Sequence, residues 1–153
     1  MSWLDKILPA RIRAAVKKKS SVPEGLWHKC VKCDAVIYKA EYEKNLNVCP
    51  KCNHHGRITA RRRIDLFLDK SERVEILTTI APKDILGFKD KEKYKDKLLS
   101  TQKKTGEKDA LIVFKGNIKK IPLVVCAFEY AFFGGSMGSV VGEKFSSAIK
   151  VCL

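Results

Sequence analysis

Acidic residues are scarce: 17 Asp and Glu stand against 31 Lys and Arg in 153 residues, a formal net charge of +14. Long apolar runs are absent as well. The longest stretch without a charged residue is Tyr130 to Gly142, and four of its residues are glycine. A bilayer span needs about 20 apolar residues, so a transmembrane helix is excluded. The opening MSWLDKILPARIRAAVKKKS has neither the uninterrupted apolar stretch nor the small-residue cleavage site of a secretory signal. The chain is therefore read as cytoplasmic, with no membrane partner. No Gly-Lys-Ser/Thr closes a glycine loop and no G-x-G-x-x-G occurs, so neither an NTPase nor a dinucleotide domain is supported. Internal repeats are lacking too. What remains is an ordinary globular mix, 45% hydrophobic and 31% charged, which argues against disorder along the whole length.

The positive charge is unevenly placed. Residues 1–63 hold 15 basic and 5 acidic residues, a net of +10, and residues 64–153 hold 16 and 12, a net of +4. Such asymmetry suits a nucleic acid or another polyanion, and equally a solvated basic module. Arg57, Arg61, Arg62 and Arg63 carry the nucleic-acid reading.

Six cysteines are present, four of them in two pairs. Cys30-Val31-Lys32-Cys33 and Cys49-Pro50-Lys51-Cys52 are C-x2-C units separated by 15 residues. That spacing fits a four-cysteine zinc site, and disulfides are not expected in a reducing cytoplasm. Two residues between ligands let one tight turn aim both sulfurs at a point, and two such knuckles close a tetrahedron. Cys30, Cys33, Cys49 and Cys52 are thus the metal ligands for one structural Zn2+. With four thiolates correctly spaced, His28, His54 and His55 are not needed as ligands. A saturated site leaves no position for water, so the zinc is not catalytic. A redox C-x-x-C would show one pair rather than two. Cys126 and Cys152 sit among apolar residues and read as buried core thiols.

Along the chain, residues 1–25 form a basic leader and linker, with Trp3, Leu4, Ile7 and Leu8 at helical spacing until Pro9. Residues 26–58 are the zinc ribbon, with a short strand at 35–38 and a return over 45–48. Residues 59–153 make a second region. Ile64, Phe67 and Leu68 mark a helix over 60–70, and branched residues mark a strand over 73–80. The alternating charges of 89–97 suggest an exposed helix or loop. Apolar strands at 110–115 and 121–129 read as a hairpin around a turn that contains Gly116-Asn117. A final helix carries Val141, Phe145, Ala148, Ile149 and Cys152 on one apolar face.

Gly134, Gly135, Ser136, Met137 and Gly138 join the last strand to that helix. Glycines there permit a sharp turn and close packing. Alternatively, bare N–H groups at the helix start face an anion or a developing oxyanion. These five residues are the candidate substrate-binding segment.

Together, CVKC, CPKCNHH, TARRRIDLFLD, KYKDKL, TGEKDALIV and AFEYAFFGGSMGSVVGEKF closely resemble the carboxyltransferase beta subunit of bacterial acetyl-CoA carboxylase, from about Val22 to Val151. The resemblance implies an α/β (α+β) fold, a four-cysteine zinc ribbon followed by an incomplete crotonase-type domain of spiralling ββα units. It implies transfer of a carboxyl group from carboxybiotin to acetyl-CoA, giving malonyl-CoA for fatty acid synthesis. The implied partners are the alpha subunit in an alpha2beta2 heterotetramer, the biotin carboxyl carrier protein and biotin carboxylase. Biotin rides on the carrier, and ATP is consumed at biotin carboxylase. Backbone N–H groups, not a side-chain nucleophile, stabilise the developing charges. Members of the family run to about twice this length, so the chain is expected to hold the ribbon and the opening of the catalytic domain. The family's glycine-rich oxyanion segment then lies beyond Leu153, and no catalytic side chain is assigned. The alternatives are a zinc-ribbon nucleic-acid-binding module and an inactive truncated remnant.

Overall fold

The computed structural model describes residues 25–153 apart from Ser71, so the helical spacing expected in the leader lies outside the described residues. The chain divides into two compact units, the first ending at Arg57 and the second spanning Ile58–Leu153.

The first unit is small. Strands β1 (Trp27–Lys29) and β2 (Val36–Tyr38) pair antiparallel, with Trp27 opposite Tyr38 and His28 opposite Ile37. Helix α1 (Lys39–Lys44) follows at once, and only its Tyr42 is buried. The core is Ile37, Tyr42, Cys30 and Cys49, with Cys52 packed against them. Three of those five residues are cysteines. Without something to hold the sulfurs, this apolar surface is too small to sustain a fold.

The second unit is organised around a three-stranded antiparallel sheet in the order β3-β4-β5. Its strands are β3 (Val74–Ile76), β4 (Leu111–Ile118) and β5 (Ile121–Phe128). Side chains alternate across a strand, so both faces of β4 and β5 must be covered if both are apolar. Helix α2 (Ala60–Phe67) covers one face, where Ala60, Ile64 and Leu68 meet Ile112, Phe114, Leu123, Val125 and Ala127. Helix α4 (Ser139–Cys152) covers the other, where Val141 and Ala148 meet Leu111, Val113, Val124 and Cys126. Burying a side chain such as Ile64 in this way stabilises the fold by about 2 kcal/mol. Helix α3 (Tyr94–Thr105) contributes Leu98 to a third cluster with Ala110 and Phe132, and stops at Gly106, which adopts φ 75° as its cap. Among the described residues no helix is long and apolar enough to cross a membrane.

Several expected elements shift. The strand expected over 73–80 ends at Ile76, because Leu77 takes the left-handed conformation (φ 61°) and accepts a turn bond from the N–H of Ile80. The hairpin turns at Lys119-Lys120, not at Gly116-Asn117. Ile118 pairs with Ile121, and both lysines have positive φ (50° and 70°), as a two-residue type I′ turn requires. Asp69 supports that turn by accepting the Lys120 N–H at 3.1 Å. Pro122, opposite Asn117, falls at a position where its missing N–H faces the open edge of the sheet. The charged stretch 89–97 gives way to α3 at Tyr94, and the helix extends to Thr105. The buried face of α4 is Val141, Lys144 and Ala148, whereas Phe145, Ile149 and Cys152 are exposed. Cys152 is therefore not a core thiol, and Cys126 is only partly covered.

The short β3 explains the buried lysine. The carbonyl and N–H of Leu111 point to the side of β4 that β3 would occupy, and the paired stretch ends at Ile76 opposite Val113. Side chains take over: Asp109 Oδ1 accepts the Leu111 N–H at 3.2 Å, and Lys144 Nζ donates to the Leu111 carbonyl at 2.7 Å. Both side chains belong to residues more than nine-tenths buried.

Candidate metal centre

The two cysteine pairs fold as the same small structure used twice. In the first knuckle the Cys30 N–H donates to the Ala35 carbonyl at 2.9 Å, and the Asp34 N–H to the Cys30 carbonyl at 3.0 Å. In the second, the Cys49 N–H donates to the His54 carbonyl and the Asn53 N–H to the Cys49 carbonyl, both at 2.9 Å. Asp34 and Asn53, each following the second cysteine of its pair, share φ 56°. Aspartate and asparagine are among the side chains that best tolerate this left-handed geometry. The sequence signal for each knuckle is therefore C-x2-C followed by Asp or Asn, a cue that cysteine spacing alone does not contain.

The knuckles bring four sulfurs together. The Sγ atoms of Cys30, Cys33, Cys49 and Cys52 all lie within 4.8 Å of one another. Cys30 and Cys52 are 3.7 Å apart, as are Cys33 and Cys49. A tetrahedron with zinc–sulfur bonds of about 2.3 Å has edges of about 3.8 Å; two edges of the cluster match that length and no edge exceeds 4.8 Å, so the four sulfurs are grouped as one Zn2+ requires. Backbone N–H groups of Lys32 and Cys33 point at the Cys30 sulfur and hold its thiol down at about 6, which favours the thiolate. Burial pushes Cys52 up to about 12, against the N–H of His54. Four thiols this close resist ionising together unless a cation sits among them. The four cysteines are arranged to bind one metal ion, in keeping with a structural zinc whose coordination is complete.

None of the three histidines joins the sulfur cluster. His28 stacks on Tyr42, ring centroids 4.0 Å apart and 14° from parallel. With His54 and His55 it lines a cleft of about 610 Å³ on the first unit. Gly56 is required there: a Cβ on it would run into the Tyr42 hydroxyl and lie 3.0 Å from the Asn47 carbonyl. The opposite face of the β1–β2 ribbon leaves Trp27, Lys29, Val36 and Tyr38 exposed, with Trp27 and Tyr38 in edge contact at 5.8 Å.

The glycine segment lies in the second unit. Gly134 and Gly135 occupy the left-handed region at 70° and 75°, and Gly138 opens α4 with no side-chain cap. Ser136 and Gly138 line a cleft of about 260 Å³ with Tyr94, Asp109, Phe132 and Phe133. Met137 is exposed, and neither it nor Gly134 or Gly135 lines that cleft. Burial raises the Tyr94 phenol, with the Asp109 charge adding to the effect.

The arginines part company. Arg62 and Arg63 are exposed. Arg61 is bound at both ends of its fork, to Glu107 at 2.6 and 2.7 Å and to Glu75 at 2.8 and 3.3 Å. It is committed to holding α2 against β3 and the 106–110 loop. Glu129 Oε2 accepts the Ala60 N–H at 2.9 Å at the start of α2; this bond, the arginine network and the buried Lys144 have partners distant in the chain, which no local sequence pattern shows.

Residues 27–52, which include both cysteine pairs, match the family model of the acetyl-CoA carboxylase zinc finger domain.

Proposed function

We propose that the chain is beta-subunit sequence of an acetyl-CoA carboxylase carboxyltransferase, contributing the zinc ribbon and an opening ββα unit to a crotonase-type domain. The observation that carries this reading is the match of residues 27–52 to the carboxylase zinc finger, on residues whose sulfurs have tetrahedral spacing. The ββα unit is β4, β5 and α4, with the glycine segment between strand and helix. The zinc supplies folding free energy to the ribbon and takes no part in the reaction.

In this reading the N–C bond of carboxybiotin on the carrier protein breaks, the methyl group of acetyl-CoA gives a proton to the freed ureido nitrogen, its carbon forms the new C–C bond to the carboxyl group, and biotin and malonyl-CoA leave. An enolate oxygen develops on acetyl-CoA, and backbone N–H groups rather than a side chain stabilise it. The uncapped first turn of α4, opening at Gly138, offers N–H groups of this kind beside the cleft that Ser136 and Gly138 line. The partners are the alpha subunit, in an alpha2beta2 assembly, the biotin carboxyl carrier protein and biotin carboxylase, where ATP is used. The active site lies between alpha and beta, so this chain alone is not expected to turn over acetyl-CoA.

Co-purification with the alpha subunit, followed by a malonyl-CoA assay with carboxylated biotin carrier, tests the proposal. A stable complex whose activity falls on substituting Gly138 supports it. A chain that neither binds alpha nor alters its CoA affinity sinks it.

A second reading, single-stranded nucleic-acid binding by the ribbon, draws on the exposed Trp27–Tyr38 pair beside Lys29. Aromatic side chains beside cations form a stacking platform for bases. A gel shift that survives physiological salt and is lost in Trp27→Ala supports this reading, and no shift removes it.

A further inference from the structure

All three histidines of the chain meet in one cleft of the first unit, and no feature of the zinc site requires them there. The cleft measures about 610 Å³, within the usual size range of small-molecule sites, against about 260 Å³ for each of two clefts of the second unit. Its lining has two parts. The stacked rings of His28 and Tyr42 offer a flat aromatic surface. Lys39 and Arg57 bring positive charge, beside the imidazoles of His54 and His55. The single carboxylate in the lining, Glu43, lies 3.9 Å from Lys39 on the same helix. By contrast, the cleft around Lys144 holds Glu75, Glu107 and Asp109 among its cations and so repels an anion.

We propose that this cleft binds a purine nucleoside phosphate, the base extending the Tyr42–His28 stack and the phosphates meeting Lys39 and Arg57. Neither ring alone gives that selectivity. A stacking surface beside two long cations matches a planar base joined to a phosphate chain, and the ring nitrogens of His54 and His55 can hydrogen-bond at the base or ribose edge. The chemistry is shared by a free nucleotide and by the nucleotide end of CoA. The proposal rests on the ribbon alone and stands apart from the carboxyltransferase reading.

The test uses the whole zinc-loaded chain, titrated calorimetrically with ADP, CoA and inorganic pyrophosphate. ADP and CoA are expected to bind once per chain. His28→Ala lowers affinity for both about tenfold or more, the size of one stacked base, while pyrophosphate is unaffected. His28→Phe, which keeps a stacking ring, restores nucleotide binding. Lys39→Ala weakens all three ligands, and zinc content stays at one ion in every variant. Equal affinity for ADP and CoA identifies a free-nucleotide site, and much tighter CoA binding identifies a site for the nucleotide end of CoA. Absence of ADP and CoA binding at millimolar concentration overturns the proposal. So does nucleotide binding indifferent to both substitutions, which places the contact outside this cleft. An oligonucleotide that binds where ADP does not overturns it in favour of the Trp27–Tyr38 face.

Discussion

The ammonium of Lys144 reaches across from α4 to donate to the carbonyl of Leu111 at 2.7 Å, at the point where β3 no longer covers the edge of β4. The bond replaces one that a longer β3 would have supplied. Lys144→Met keeps the stem but leaves that buried carbonyl unpaired, at a cost of about 1–3 kcal/mol by urea denaturation.

Burial lowers the Lys144 pKa below its ordinary 10.5, although the carboxylates of Asp109, Glu75 and Glu107 act in the opposite sense. A base depressed in the folded state binds fewer protons there than in the unfolded chain. Its contribution to stability therefore rises with pH between the folded value and 10.5, and is lost as pH falls through the folded value. The deficit of Lys144→Met relative to the parent should widen from neutral pH toward 10.5. A deficit that narrows over that range contradicts the burial argument.

Arg61 binds Glu107 with two donors, and the Glu107 side chain is only 9% exposed. Arg61→Ala strands that carboxylate and is expected to cost about 1–3 kcal/mol, with solvent at the half-exposed guanidinium moderating the loss. Arg61→Lys should recover less than half, because a point charge does not reproduce the fork. Adding Glu107→Gln to Arg61→Ala should restore part of the stability. Additive losses in that double variant would show that the two residues act independently.

The ribbon was legible because its chemistry is local. Two C-x2-C units fix a tetrahedral site within one turn each, and the apolar alternation of β4 and β5 is likewise contained in consecutive residues. What escaped reading depended on residues distant in the chain. Gly116-Asn117 looked like the hairpin turn, yet the pairing of Val113 with Cys126 carries the strands three residues further, to lysines steadied by Asp69. Val141 and Ala148 of the expected stripe do pack on Leu111 and Val113, but Phe145 and Ile149, read on the same stripe, stay exposed, and Lys144 takes the buried place between them. Lys144 sits on that buried face for want of a strand partner at Leu111, and no periodicity announces such a gap.

Cys49 has no exposed surface and supplies one vertex of the sulfur tetrahedron. Cys49→Ser should abolish stoichiometric zinc. Chelation of the parent should produce the same state, with amide signals of residues 26–57 collapsing while those of β4, β5 and α4 persist. Retention of the ribbon signals without metal would refute the view that zinc supplies its folding free energy.

Lys119 and Lys120 adopt φ 50° and 70°, which L side chains other than Asn and Asp enter at a cost of about 1 kcal/mol each. Replacing the pair with Asn-Gly supplies the preferred type I′ residues and keeps the N–H that Asp69 accepts. The second unit should gain about 1 kcal/mol, a rise of about 4–8 °C in midpoint for a domain of this size. An unchanged midpoint would mean that the positive φ values are not a source of strain.

Gly56 lies where the Tyr42 hydroxyl and the Asn47 carbonyl approach too closely for any Cβ, and its own N–H donates to that carbonyl at 2.7 Å. Gly56→Ala must push the Tyr42 ring outward, and Tyr42 packs against Cys30 and Cys49 while stacking on His28. Overpacking of this kind costs about 1–3 kcal/mol. Because folding and metal binding are coupled in the ribbon, that cost should appear as weaker apparent zinc affinity, by roughly tenfold or more, in competition with a chelator. All four cysteines remain, so stoichiometry at saturating zinc should stay at one. Unchanged affinity would mean that Tyr42 moves without disturbing the sulfurs, and that the aromatic stack and the metal site are energetically separate.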